Sequence, residues 1–112
     1  MEKQKILIAD DSEMNRALLV DILEDQYDIV EADNGAAAID LLTQCGGDFS
    51  LLLLDIMMPE MDGFEVLAYI NRYHLNDTLA VIMISADDSP ANIKRAYDLG
   101  AFDYISRPFD AA

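Results

Sequence analysis

Basic residues are scarce. Seven lysines and arginines stand against 22 acids, for a formal charge of -15. A surface of that sign repels phosphate backbones and anionic lipid, so direct binding to nucleic acid or a membrane is not expected. It suits cations and basic patches on protein partners, although solubility alone accounts for most of these acids. Cysteine is nearly absent. The single Cys45 excludes an internal disulfide, and its place in a helical pattern reads as a small packed side chain rather than a nucleophile. No set of His and Cys has zinc spacing. His74, near a helix end, reads as a solvated imidazole favourable to the helix dipole. No apolar run approaches the length of a membrane-spanning helix. Met1-Glu2-Lys3-Gln4-Lys5 leads into a short strand rather than a secretory h-region. A cytoplasmic protein is therefore expected. There are no internal repeats, no low-complexity tract and no linker.

What is present is apolar patterning. The chain has 112 residues and a hydrophobic fraction of 53%, which suits one domain around one core and argues against disorder. The most telling stretch is Leu51-Leu52-Leu53-Leu54-Asp55, followed by the turn residues Pro59 and Gly63. A short apolar run bounded by turn signals reads as a strand buried on both faces. Asp55 would then sit where that strand leaves the sheet, a position that is costly for a carboxylate unless something pairs with it.

The rest of the chain repeats this logic. Ile6 to Ala9 is a second such run, ending on Asp10-Asp11, with Ser12 as a helix cap. Met14, Leu18 and Ile22, with Leu19 and Leu23, recur at helical spacing to about Asp25. Strands are expected at Tyr27 to Ala32, Phe49 to Leu54, Leu79 to Ile84 and Asp103 to Ser106. Helices are expected from Ala36 to Cys45, stopped by Gly46-Gly47, and after Gly63, which ends the loop, to about His74 with Phe64, Leu67 and Ile70 inward. Another starts after Asp88 or Ser89 with Pro90 in its first turn, and carries Ile93, Ala96, Tyr97 and Leu99 before Gly100. Strict βα alternation predicts an α/β fold, a doubly wound five-stranded parallel sheet with helices on both faces. Ligands of such sheets gather at the carboxyl ends of the strands.

Asp10, Asp11, Asp55 and Ser85 all fall on that edge. Three neighbouring carboxylates repel one another, and a hard divalent cation such as Mg²⁺ is the simplest remedy. A magnesium site beside a strand-end carboxylate suits phosphoryl transfer, with a carboxylate oxygen as nucleophile. The Ser85 hydroxyl and the Ala86 backbone N–H could hold phosphoryl oxygens, and Arg107 could add a positive charge. Each feature alone has a plainer reading: Asp10-Asp11 as a cap, Ser85 as a strand-end hydroxyl, Arg107 as a surface charge. Met57, Met58 and Met61 read as turn packing, since thioethers suit soft metals. The joint placement lifts the set above those readings.

The chain resembles the receiver domain of two-component response regulators along essentially its whole length. The carriers are Ile6-Leu7-Ile8-Ala9-Asp10-Asp11, Leu54 through Gly63, Ile84-Ser85-Ala86 and Gly100 through Phe109. The resemblance implies a flavodoxin-like strand order, 2-1-3-4-5, and a single receiver domain over residues 1–112. It implies Asp55 as phospho-acceptor, served by a sensor histidine kinase or phosphotransfer protein. It further implies Asp11, Asp55 and the Met57 backbone carbonyl as Mg²⁺ ligands, with Asp10 acting through water. Ser85 matches a switch hydroxyl, and Tyr104 the aromatic that moves inward as Ser85 turns.

Two departures stand out. The family has lysine where this chain has Arg107, and a planar guanidinium is not a conservative replacement for an ammonium. The peptide before Pro108 is expected to be cis, as in the family. The chain also stops at Asp110-Ala111-Ala112, where the family's fifth helix begins. The C-terminal helix is thus expected to be truncated, the chain a fragment of a longer regulator, and apolar surface exposed beside the first helix, which favours a homodimer. An output domain would follow, with cyclic-dinucleotide turnover as one association of the arginine variant. The domain is expected to catalyse only its own modification. Two other readings compete: an atypical receiver serving as a phosphorylation-independent interaction module, and a phosphohydrolase of the haloacid-dehalogenase type. The latter needs a general acid two residues after Asp55, where Met57 stands.

Overall fold

Each inner strand alternates two apolar rows, and each row is covered by helices on its own side. The computed structural model describes residues 4–45, 48–58, 61–73, 79–85 and 89–106. The elements are β1 (Gln4–Ala9), α1 (Glu13–Leu23), β2 (Tyr27–Ala32), α2 (Gly35–Cys45), β3 (Phe49–Asp55), α3 (Gly63–Arg72), β4 (Ala80–Ser85), α4 (Pro90–Asp98) and β5 (Asp103–Ser106). All strand pairs are parallel, in the order β2-β1-β3-β4-β5. This is the expected doubly wound sheet. Boundaries differ from the sequence reading by one or two residues, and Asp55 closes β3 rather than opening the loop.

Leu7, Ala9, Leu52, Leu54, Val81 and Met83 face the larger core, which they share with Ala38, Ile39 and Leu42 of α2, Phe64, Val66, Leu67 and Ile70 of α3, and Ala96 of α4. The intervening Ile6, Ile8, Leu53 and Ile84 face a smaller core with Leu19 of α1. Central strands therefore read as continuous apolar runs because both rows are buried.

Local signals set the helix ends. The Ser12 hydroxyl accepts from Asn15 N (3.2 Å), capping α1. Asp62 and Glu65 form a reciprocal capping box at α3. Ser89, not Asp88, caps α4, with Pro90 in its first turn. Gly100 leaves α4 with φ 96°, a left-handed conformation that favours glycine. The Tyr97 hydroxyl donates to Asp103 Oδ1 (3.1 Å), which raises the phenol above its ordinary pKa.

Of the two apolar stripes of α1, only one faces inward. Met14, Leu18 and Ile22 of α1 are exposed, while Leu19 is buried and Leu23 packs against the smaller core. At 100° per residue the stripe Arg16, Leu19, Val20, Leu23 lies opposite 14, 18 and 22, and only the first stripe meets the sheet. On α4, Ala96 is buried but Tyr97 is exposed. The stops at Gly46-Gly47, His74, Asp88, the Arg107–Pro108 peptide and Asp110-Ala111-Ala112 lie outside the described residues.

Leu67→Ala should lower the unfolding free energy by about 2–5 kcal/mol, because it opens a void in the larger core. Leu18→Ala should cost less than about 1 kcal/mol. Urea denaturation of both variants checks this, and equal losses would contradict the orientation of α1.

Candidate functional site

Parallel register builds the site from three strand ends. Ala9 of β1 lies opposite Leu54 of β3, so Asp10 emerges beside Asp55. Asp55 in turn lies opposite Ile84 of β4, with Ser85 the next residue. Asp10 and Asp55 are each 2% exposed and Ser85 is 1% exposed, whereas Asp11 faces solvent. Carboxylate oxygens of Asp10, Asp11 and Asp55 all lie within 4.8 Å of one another. The expected convergence of these three acids is therefore observed, with Ser85 at the adjoining strand end.

Backbone bonds hold these strand ends in place. Asp10 N donates to Ala32 O of β2 (3.1 Å), and Ser12 N donates to Asp10 Oδ1 (2.8 Å). Arg16 Nη1 donates to the Asp10 carbonyl (2.7 Å) and Nε to Glu31 Oε1 (3.1 Å). Beyond β3, Ile56 N donates to Ile84 O (3.3 Å) and Gly63 N to Ile56 O (2.8 Å). The loop thus folds back until α3 starts against Asp55. A Cβ at Gly63 would stand 2.4 Å from the Asp55 carbonyl oxygen and 2.8 Å from Ile56 Cα, so only glycine allows this approach.

No buried side-chain N or O atom among the described residues lacks a hydrogen-bond partner. Asp10, Asp55 and Ser85 each have a partner, and the three carboxylates gather negative charge at this edge. Close, hard oxygen donors, two buried and one open to solvent, fit Mg²⁺, which takes one or two protein carboxylates and keeps several waters. Zinc would want nitrogen or sulfur.

The other expected site residues fall as follows. Met57 is in the loop after β3, with its side chain 72% exposed, so it does not pack as the turn reading expected; Met58 does, at 9%. Tyr104 lies opposite Met83, two residues before the Ser85–Ser106 pair, and packs partly buried against the larger core. It is thus on the strand next to Ser85. Ala86 and Arg107 lie outside the described residues. The sequence reading missed Arg16. An arginine one turn after the cap Ser12, heading the buried stripe of a helix in an acid-rich chain, is the signal that could have found it.

A five-stranded sheet of this order, with an acid cluster at its carboxyl edge, defines a doubly wound, flavodoxin-like α/β domain. The response regulator receiver domain model matches residues 6–112, and the chain belongs to that family. The CheY chemotaxis protein of Halobacterium salinarum is 36% identical over 110 residues, covering 97% of this chain and 88% of that protein. A probable cyclic di-GMP phosphodiesterase of Vibrio cholerae is 38% identical over 103 residues, covering 92% of this chain but 23% of the relative. A chain in the CheX–CheY–BeF3–Mg²⁺ complex of Borrelia burgdorferi superposes with a TM-score of 0.88 at 30% identity, covering 95% of this chain and 79% of that one. This chain spans about a quarter to a half of the length of several curated relatives it matches. Two-component phosphorelay signalling is thus its general setting.

Two outcomes test the geometry. Without divalent cations, Asp55→Asn should raise stability by on the order of 1–2 kcal/mol, since one of three crowded charges is removed. Thermal unfolding in chelator checks it, and destabilisation would mean that the bonds Asp55 makes outweigh the repulsion. Gly63→Ala should cost about 1–3 kcal/mol by overpacking the loop against Asp55. Unfolding in urea measures that loss, and an unchanged midpoint would contradict the close approach.

Proposed function

We propose that this domain accepts a phosphoryl group on Asp55 from the phosphohistidine of a sensor kinase or phosphotransfer protein. The observation that carries the reading is a buried Asp55 whose carboxylate oxygen lies within 4.8 Å of those of Asp10 and Asp11. A carboxylate oxygen of Asp55 attacks phosphorus in line; the P–O bond forms as the P–N bond breaks, and its electron pair stays with the departing imidazole. Asp11, Asp55 and the Met57 carbonyl are the proposed Mg²⁺ ligands, with Asp10 contributing through water. Held there, Mg²⁺ would supply positive charge to offset that of the transferring phosphoryl group.

Ser85 donates its hydroxyl to a phosphoryl oxygen, joined by the Ala86 backbone N–H and the Arg107 guanidinium. As Ser85 turns towards the phosphoryl group, Tyr104 moves into the space it leaves, and the surface of α4 and β5 changes. That surface is then read by an output module or partner. Cyclic-dinucleotide turnover is one candidate output, supported by the Vibrio relative. The domain catalyses only its own phosphorylation and dephosphorylation, in the cytoplasm.

Arg107 in place of lysine alters the coupling or lifetime of the phosphorylated state, while phosphorylation itself survives. Incubation with Mg²⁺ and acetyl phosphate should produce a labile phosphoryl adduct by intact mass, absent in Asp55→Asn and in chelator. Arg107→Lys should also be labelled, with a different decay rate. No adduct on wild-type chain that demonstrably binds Mg²⁺ would contradict the proposal and favour a phosphorylation-independent interaction module. Labelling of Arg107→Lys alone would overturn the claim that phosphorylation survives the arginine.

A further inference from the structure

Arg16 is outside the acid cluster but governs one of its walls. Its side chain is 15% exposed on α1, where the guanidinium makes two bonds at once: Nη1 to the Asp10 carbonyl (2.7 Å) and Nε to Glu31 Oε1 (3.1 Å). Asp10 N is bonded to Ala32 O of β2 (3.1 Å). The Asp10 main chain is therefore gripped on both sides from β2, directly through Ala32 and indirectly through Glu31 and Arg16. The gripped carbonyl belongs to the Asp10–Asp11 peptide, so its orientation sets where Asp11 leaves the backbone. Asp11 is the exposed member of the trio, with the least packing of its own. Arg16 N also donates to Ser12 O (3.0 Å), and Ser12 N donates to Asp10 Oδ1 (2.8 Å), closing a small network around the turn.

We infer that Arg16 is a positioning residue for the cation site: it holds the Asp10–Asp11 peptide plane so that the Asp11 carboxylate is aimed at Asp55 before the cation arrives. This rests on the reading of the acid trio as a Mg²⁺ site. The guanidinium meets the two acceptors from two nitrogens held in one rigid plane, whereas a lysine would have to meet both from one nitrogen on a flexible stem.

The sign of one effect separates this role from plain electrostatics. Arg16 carries positive charge beside a site for a cation. If its charge were all that mattered, removing it would tighten Mg²⁺ binding, and keeping it as lysine would change nothing. Positioning gives the opposite result: Arg16→Met and Arg16→Lys both weaken Mg²⁺, by about tenfold, as losses of metal-supporting partners outside the ligand set do.

The test is calorimetric titration of the 112-residue chain with MgCl₂, without any phosphodonor, for wild type, Arg16→Met and Arg16→Lys. Circular dichroism shows which variants are folded, and the lysine variant decides the matter if the methionine variant is not. Weakening in the folded variants supports the inference. Unchanged or tighter binding, beside a wild type that binds, overturns it alone. A wild type that binds no Mg²⁺ overturns the site and this inference together.

Discussion

Parallel pairing of β1 with β3 forces like charges together, and much of the molecule is arranged around that fact. The register that buries Leu7, Leu52 and Leu54 in one core also carries Asp10 to the side of Asp55. The same register seats both apolar rows in their cores and sets the two acids side by side. Hydrophobic burial thus holds a repulsive cluster in place. Three carboxylates gathered at one edge favour positive charge beside them. The proposed Mg²⁺ ion and the phosphoryl transfer it would assist are chemistry of the kind such an edge suits.

The surroundings of the cluster follow from the same constraint. Gly63 brings α3 against the end of β3, and the Asp62–Glu65 capping box fixes where that helix starts. Arg16 and Glu31 tie the end of β1 to β2. On the other side, β4 puts Ser85 at the edge, and β5 sets Tyr104 on the adjacent strand against the larger core. One buried hydroxyl and one partly buried ring thus stand on neighbouring strands between Asp55 and the outer edge of the sheet.

Most of the fold was legible because strands buried on both faces leave unbroken apolar runs, and those runs ended on acids or a hydroxyl at Asp10, Asp55 and Ser85. Turn chemistry at Ser12, Pro90 and Gly100 marked helix ends for local reasons that tertiary structure did not override. The inward face of α1 was not legible: the helix has apolar residues on both sides, so periodicity alone could not choose between the Leu18 and Leu19 stripes. Met57 was misread as packing because adjacent methionines look alike in sequence, whereas the loop points Met57 outward and Met58 inward. Arg16 was hidden because its partners are a backbone carbonyl and a glutamate 15 residues away. Contacts to main chain leave no pattern in side-chain spacing.

The central claim is that Asp55, rather than either neighbouring acid, is the nucleophile. Borohydride reduction of the chain after treatment with Mg²⁺ and acetyl phosphate converts an acyl phosphate to the corresponding alcohol, which peptide mapping locates. The account predicts homoserine at position 55 and unmodified aspartate at 10 and 11. Homoserine at position 10 or 11, with aspartate intact at 55, would contradict it.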